Sequence, residues 1–374
     1  MSPLGFSRIF KFDFEQISFM NLLIFAFIPL IISLGITPAL QSEIVPNVDA
    51  FKAKGNSLTE TNSKNVCGDK LCSEISGNQM AQKPMIIKSQ KELFSSTVDY
   101  TLMGPEIDPE KGYAVIEIGD GLYWVTDGIY QIMFLTTGEG VILIDAPMGM
   151  GTKIQQAISE VTSQKVTHFI YSHIHKDHVG SASLLPKHTT YISHVDTAKH
   201  LAMKNDPQRP VPTVTFDDKY TLTVGDQTLE LSYLGPFHSK GDIVIYSPAH
   251  KVVMAVDLFH PNAAPFQFMG ITRDVGEHLA VHDKLLEMDW KIIISGHEPI
   301  LGTPEHLKFN KEFTLAVLEN AITAIQMIQP SANYFGDLAN KCAELTVEQY
   351  SDLKDIEVYP NENCVTMVFY ALID

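Results

Sequence analysis

The chain reads as a layered α/β domain with sheets inside and helices outside, and three observations carry that reading. From Tyr113 onward, short β-branched and aromatic runs alternate with Gly-containing turns. From residue 153 these runs interleave with segments whose apolar residues recur at helical spacing. With 374 residues, 45% of them hydrophobic, the chain is long and apolar enough to bury a large core.

The N-terminal part stands apart from this. No charged residue occurs from Gln16 to Ser42, and FMNLLIFAFIPLIISLGI fills residues 19–36. Arg8 and Lys11 precede the apolar run, and Thr37, Pro38 and Ala39 follow it. A basic start, an apolar middle and a small-residue exit predict a signal peptide or an N-terminal membrane anchor over residues 1–42. The expected location is therefore outside the cytoplasm, secreted or held at the membrane through residues 19–40. Residues 43–93 are rich in Ser, Asn, Lys, Glu and Gly and read as a flexible linker, with Cys67 and Cys72 placed to clip a short loop. Four cysteines suit an oxidising compartment, and of the three pairings open to them Cys67–Cys72 with Cys342–Cys364 is favoured as the most local. The formal charge of −17 argues against nucleic acid as a partner, because phosphate backbones select for Lys and Arg.

Residues 113–147, YAVIEIGDGLYWVTDGIYQIMFLTTGEGVILIDAP, predict a strand meander turning at GDG, DG and GEG. KIQQAISEVT (153–162) predicts a helix, and VTHFIYS (166–172) a buried strand. DHVGSASLLP (177–186) opens a second helix with Asp177 in its first turn, which Pro186 ends. Strands follow at 221–224, 229–235, 243–248, 252–256 and 291–295, with an amphipathic helix at 276–289 between the last two. The main domain is expected over 94–308. Residues 309–374 form a helical extension packed on it, closing with a strand at CVTMVFYAL.

Chemistry concentrates in YSHIHKDHVG, residues 171–180, where His173, His175, Asp177 and His178 fall within six positions. Alternate side chains of an extended segment point one way, so His173 and His175 can address one point. Asp177 and His178, at a helix start, address a neighbouring one. Three further strands end in a ligand-type residue: His238 in LGPFHSKGD, Asp257 in VVMAVDLF and His297 in KIIISGHEP. Loops at the carboxyl ends of strands are where α/β domains place their chemistry. His168, His188, His194, His200, His250, His278, His282 and His306 lack such a context and read as surface or satisfied core residues.

The order H-x-H-x-D-H, H-S-x-G-D, strand-terminal Asp, S-G-H resembles the metallo-β-lactamase fold superfamily over about residues 112–300. That resemblance implies a four-layered αββα sandwich and a catalytic domain with a dinuclear zinc hydrolase site. By position, His173, His175 and His238 would hold one Zn(2+), and Asp177, His178 and His297 the second. Asp257 would bridge the two, and Asp145 in ILIDAP would orient the ligand loop. Iron or manganese could fill the same set. Three imidazoles leave a tetrahedral zinc one open position, the layout of a catalytic site. Asp177 would orient the metal-bridging hydroxide and accept its proton.

No cysteine lies between Cys72 and Cys342, so the Cys ligand of several true β-lactamases of this fold is absent and Asp257 stands in its place. The expected reaction is cleavage of an ester, lactone or thioester in a small-molecule substrate. A β-lactamase-like amide hydrolase and a non-catalytic exported zinc-binding module are the alternatives. In the loop LFHPNAAPFQFMG, Phe259 and Phe266 are candidate pocket walls, and His260 a candidate support for the ligands.

Overall fold

The computed structural model describes residues 99–373; the expected leader, linker and Cys67–Cys72 clip lie outside them. Among the described residues no helix is long and apolar enough to cross a membrane.

The meander becomes β1 (Ala114–Gly119), β2 (Leu122–Thr126), β3 (Gln131–Thr136) and β4 (Val141–Ile144). These pair antiparallel in chain order, and the sheet continues in parallel through β5 (Val166–Ile170), β6 (Thr190–His194) and β7 (Val214–Phe216). A second sheet has the order β12-β11-β10-β9-β8, built from β8 (Lys219–Val224), β9 (Gln227–Ser232), β10 (Val244–Ser247), β11 (Val252–Met254) and β12 (Ile292–Ile294). Only β11 and β12 are parallel there.

Both faces of the first sheet are buried, so its strands read as near-continuous apolar runs whose alternate residues serve different cores. Trp124, Met133, Leu135, Ile142 and Ile144 face the second sheet, meeting Leu229, Leu231, Ile245, Met254 and Ile294. Val125, Ile132, Phe134 and Leu143 face outward. Helix α1 (Lys153–Val161) covers them with Ile154, Ala157 and Ile158, and α3 (Val195–Lys204) adds Leu201. Helix α4 (Val275–Leu286) lays Val281 and Leu285 on the outer face of the second sheet beside Val253 and Ile293. Four layers, αββα, result.

The second predicted helix is shorter than expected: α2 spans only Lys176–Val179, and a 3-10 turn at Ala182–Leu184 follows before Pro186. Strands β6 and β7 and helix α3 fall in a stretch to which the sequence pattern assigned nothing.

Helices α5 (Pro304–Met327), α6 (Tyr334–Gln349) and α7 (Pro360–Ile373) close the chain. The α5 helix runs unbroken across the expected boundary at residue 308: Leu307 packs under the second sheet, whereas Phe313 and Val317 join a separate core with α6 and α7. The predicted terminal strand is instead α7. Pro360 opens it, Glu362 sits in its first turn, and the buried Asn363, Cys364, Met367 and Val368 form one helical face. Its β-branched and aromatic content misled because packing against α5 and α6 overrides intrinsic propensity.

Cys342 on α6 and Cys364 on α7 are disulfide-bonded, with Cα atoms 5.8 Å apart and a sequence separation of 22. Closing a loop of that length removes about 3 kcal/mol of unfolded-state entropy. Reduction is therefore expected to lower the unfolding free energy by that amount, seen as a lower denaturant midpoint, without changing the fold. Superimposable denaturation curves with and without reductant would refute it.

Candidate metal centre

Five strands end at one edge of the sandwich, each followed by a His or Asp. Asp145 follows β4, His173 and His175 follow β5, His238 follows β9, Asp257 follows β11 and His297 follows β12. Strands β4 and β5 are parallel, as are β11 and β12, and β9 shares their sense because it is antiparallel to β10, which is antiparallel to β11. Asp145 and Asp257 both have positive φ, 62° and 59°. Aspartate tolerates this left-handed region better than most residues, and here it turns each chain sharply at the sheet edge.

The structure brings all seven expected ligands together as two groups. His173, His175, His238 and Asp257 form one, and Asp177, His178 and His297 the other, with the donor atoms of each group within 4.8 Å of one another. Asp257 divides its carboxylate between them. Its Oδ2 lies 3.5 Å from His173 Nε2 and 3.3 Å from His238 Nε2, and its Oδ1 lies 3.1 Å from His178 Nε2 and 3.5 Å from His297 Nε2. In the first group His175 Nδ1 is 2.7 Å from His238 Nε2; in the second, His178 Nε2 is 3.1 Å from His297 Nε2. Asp177 Oδ2 stands 3.4 and 3.8 Å from His178 and His297 Nε2 and is the most exposed donor of the seven.

These donors fit a metal. Two nitrogens on one tetrahedral zinc are about 3.3 Å apart, given bonds of 2.0–2.1 Å. The separations here bracket that value. His173 Nε2 and Asp257 Oδ1 are buried without a hydrogen-bond partner, which costs roughly 1–3 kcal/mol each unless something else binds them. Both point into the groups just described.

Tautomers are set from behind. His173 Nδ1 is 2.9 Å from Ser172 Oγ, whose hydroxyl donates to Asp145 Oδ2 at 2.6 Å, so the Nε2 lone pair is left for a ligand. Asp145 also accepts the Ser172 N–H at 2.9 Å and lies in neither donor group. Its burial pushes its carboxyl up to about 6. Asp242, the last residue of HSKGD, accepts the backbone N–H groups of His238 and Ser239 and the Ser239 hydroxyl, which fixes the loop that carries His238.

Three more supports have no local sequence signal. Gln131 at the start of β3 is fully buried; its amide donates to the carbonyls of His297 and Glu298 at 2.6 and 2.7 Å, while its carbonyl accepts from Trp124 Nε1. Arg209 donates to the carbonyl of Ile174, between the two leading histidines, at 2.6 Å. Tyr130 lays its ring against His297 and His178, with centroids 4.9 and 5.4 Å away, and burial pushes its hydroxyl up to about 12. A polar Gln at the head of the apolar run QIMFLT was the one visible hint of these. Gly296 (φ 114°) is required by crowding: a Cβ there would lie 2.7 Å from Val256 Cγ1 and 3.2 Å from Asp257 Oδ1.

Charge follows geometry. Burial holds His173 well below the usual histidine range and lowers His175 and His297; it brings His238 down to about 4. These four rings are neutral, ready to ligate, at pH 7. His178 is the exception. Burial works against its charge, but Asp257, Asp177 and Asp145 outweigh burial and raise it to about 9. Burial likewise opposes ionisation of Asp257, and the imidazoles around it win, holding it well below the carboxylate range.

The candidate pocket residues divide. Phe259 is 1% exposed, packed with Leu258, Ile293 and Leu307, and is core and not pocket wall, because the chain turns inward after Asp257. Phe266 is 45% exposed and packs edge-on against Tyr359. His260 touches no ligand; its Nδ1 pairs with Glu298 Oε2 at 2.9 Å, tying the loop after Asp257 to the loop of His297. Beyond Phe266 the segment Gln267–Ile271 has i to i−4 hydrogen bonds yet winds left-handed, with φ of 56°, 55°, 68° and 59° at Phe268, Met269, Gly270 and Ile271. Each of the three non-glycine residues costs roughly 1–2 kcal/mol in that region. Among the histidines assigned no role, His194 caps α3 and stacks on Tyr233, and His282 bonds Asn310.

Two sheets in face-to-face contact with clustered His and Asp donors at one edge define a metal-binding αββα domain. Residues 125–297 match the family profile of the metallo-beta-lactamase superfamily, and the domain belongs to that superfamily. The 2,4-dinitroanisole O-demethylase subunit alpha of Nocardioides sp. (strain JS1661) is 25% identical over 189 residues, 47% of this chain and 55% of that protein. The metallo-beta-lactamase type 2 of Elizabethkingia meningoseptica is 27% identical over 161 residues, 40% of this chain and 61% of that protein. The chain thus spans little more than half the length of these relatives. Among solved structures, a metallo-beta-lactamase from Pontibacter korlensis is 20% identical, with a TM-score of 0.47 over 54% of this chain and 97% of that one.

Proposed function

We propose that this chain is a dinuclear metal-dependent hydrolase, zinc-loaded, that cleaves an ester, lactone or thioester bond in a small molecule. The carrying observation is Asp257, whose two carboxylate oxygens each face one of the two ligand groups. One carboxylate so placed serves two ions at once, and neither group contains a cysteine. When bound, two divalent ions supply a water of lowered pKa and a Lewis acid for the scissile bond.

The chain's own residues do the remaining work. Ser172 and Asp145 hold His173 in the tautomer that ligates; Gln131 fixes the loop of His297. Asp177, 42% exposed in its side chain, is the carboxylate open to solvent at the centre and takes the proton released when a nucleophilic water reacts. Tyr130 keeps its proton at neutral pH and is a neutral donor beside the second group. Exposed Phe266, Phe268 and Ile271 give the loop after Asp257 an apolar outer face, which suits a substrate with an apolar body.

The disulfide in the C-terminal helices supports work in an oxidising compartment, in keeping with a secreted or membrane-tethered protein. Amide cleavage is the second reading, favoured by the similarity to the type 2 metallo-beta-lactamase; the O-demethylase relative adds activated aryl ethers to the bonds worth testing.

The test is turnover of the purified zinc-loaded protein on lactones, aryl esters, thioesters, a nitroaryl methyl ether and a chromogenic β-lactam, with His173→Ala as the blank. Zinc-dependent hydrolysis confined to the ester, lactone or thioester arm is expected. Turnover of the β-lactam alone would replace this reading by the amidase. A flat panel from protein carrying both metals would favour a metal-binding module.

A further inference from the structure

The left-handed turn after Phe266 needs something to hold it, and the holder lies far away in sequence. Asn363, on α7, is 5% exposed. Its Oδ1 accepts the Met269 N–H at 2.7 Å, and its Nδ2 donates to the Pro265 carbonyl at 2.8 Å. One side chain therefore grips both ends of the segment that enters the turn. Nearby, Ala264 N–H donates to the Lys354 carbonyl at 2.9 Å, and Ala264 and Met269 belong to the C-terminal helical core.

What the turn touches gives this grip its meaning. A Cβ on Gly270 would lie 3.3 Å from His260 Nε2 and 3.9 Å from the Asp257 carbonyl. The turn thus backs the Asp257–His260 segment on one side and presents Phe268 and Ile271 to solvent on the other. Without a clamp, Phe268, Met269 and Ile271 would relax to negative φ and carry Gly270 away from the Asp257 carbonyl and His260.

We propose that Asn363 is a positioning residue for the metal centre: from the C-terminal helices it fixes the left-handed turn 268–271, which backs the segment from Asp257 to His260 and carries the apolar rim beside it. The adjoining Cys364–Cys342 disulfide anchors the clamp, one residue away, to α6. The inference rests on the proposed hydrolase only for its kinetic arm.

The experiment compares wild type with Asn363→Ala and Asn363→Asp. Asn363→Asp keeps the acceptor for Met269 and loses the donor to Pro265, so it guards against a simple failure of Asn363→Ala to fold. Hydrogen exchange at residues 269–272 is expected to quicken about tenfold or more in Asn363→Ala and less in Asn363→Asp, with exchange in β4 and β11 unchanged. The cobalt-substituted protein is expected to show a shifted visible spectrum at unchanged metal content. On whichever substrate the wild type turns over, KM is expected to rise about tenfold with kcat changing less. Unchanged exchange at 269–272 in both variants would overturn the clamp. Faster exchange with an unaltered cobalt spectrum would reduce Asn363 to a structural role and overturn the positioning claim. Both outcomes can be read even if no substrate is found, so they are separate from the fate of the hydrolase reading.

Discussion

Asp257→Ala is expected to empty both metal positions at once and to lower turnover by at least about 10³-fold. The reason is its divided carboxylate, with Oδ2 against His173 and His238 and Oδ1 against His178 and His297. Removing it also takes a negative charge away from both groups, which weakens their hold on a cation. His297→Ala is the control. It removes one donor from the second group and none from the first, so one metal should remain. Elemental analysis of both variants after dialysis, with circular dichroism to verify folding, decides the matter. Asp257→Ala protein that keeps one full metal equivalent would show that the two groups fill independently and that the bridge is not needed.

The candidate donors were legible in the sequence because metal chemistry imposes an unusual local demand. Three imidazoles and a carboxylate in six residues serve no ordinary packing purpose, and His238, Asp257 and His297 each stand just beyond an apolar run whose length marks a strand. The two ligand groups need only strand direction and side-chain alternation, both of which are local rules. What holds the ligands was not legible. Gln131 meets His297 across 166 residues, Arg209 meets Ile174 across 35, and Asn363 meets Met269 across 94. Nothing near these residues in the chain announces a partner so distant. Phe259 illustrates the same limit: its loop was read as pocket wall, but whether a phenylalanine after a sheet edge turns inward depends on Leu307, from a helix the loop precedes by dozens of residues.

Local rules failed outright in two places, both of which the C-terminal helices touch. The CVTMVFYAL segment carries strand-like residues and is helical because one face meets α5 and α6. Phe268, Met269 and Ile271 are residues that no turn preference places at positive φ, and only contacts from α7 keep them there. A strained segment beside a reactive centre, held from a distance, is what remains when global packing wins over local preference.

Metal-free protein is expected to lose stability as pH falls below about 6.5, and zinc is expected to protect it progressively less as pH falls. The unfolded chain titrates its histidines near 6.5, whereas burial holds His173, His175, His238 and His297 lower in the folded state, His238 at about 4. Between those values the unfolded chain binds protons that the folded chain refuses, so stability must rise with pH there and fall on acidification. For His238 alone, a displacement from 6.5 to about 4 amounts to about 3 kcal/mol by pH 4. Two buried carboxylates act in the opposite sense: Asp145, raised to about 6, and Asp242, raised to about 7, take up protons in the fold first and so favour the folded state on acidification. Four histidines outnumber these two carboxylates, so the net slope keeps the histidine sign. His178, raised to about 9, contributes stability that is complete below 6.5 and is lost as pH climbs toward 9, which bends the curve down on the alkaline side. Metal-free protein should thus be most stable close to pH 6.5. Bound zinc requires neutral imidazoles and must displace the proton of His178, so its stabilising effect should be largest near pH 9 and shrink steadily as pH falls. Thermal melts of metal-free and zinc-loaded protein from pH 4.5 to 9 test both limbs. A metal-free melting temperature that stays flat from pH 6.5 to 4.5 would mean that the buried carboxylates cancel the histidines, and the predicted sign of the acid limb would have to be abandoned.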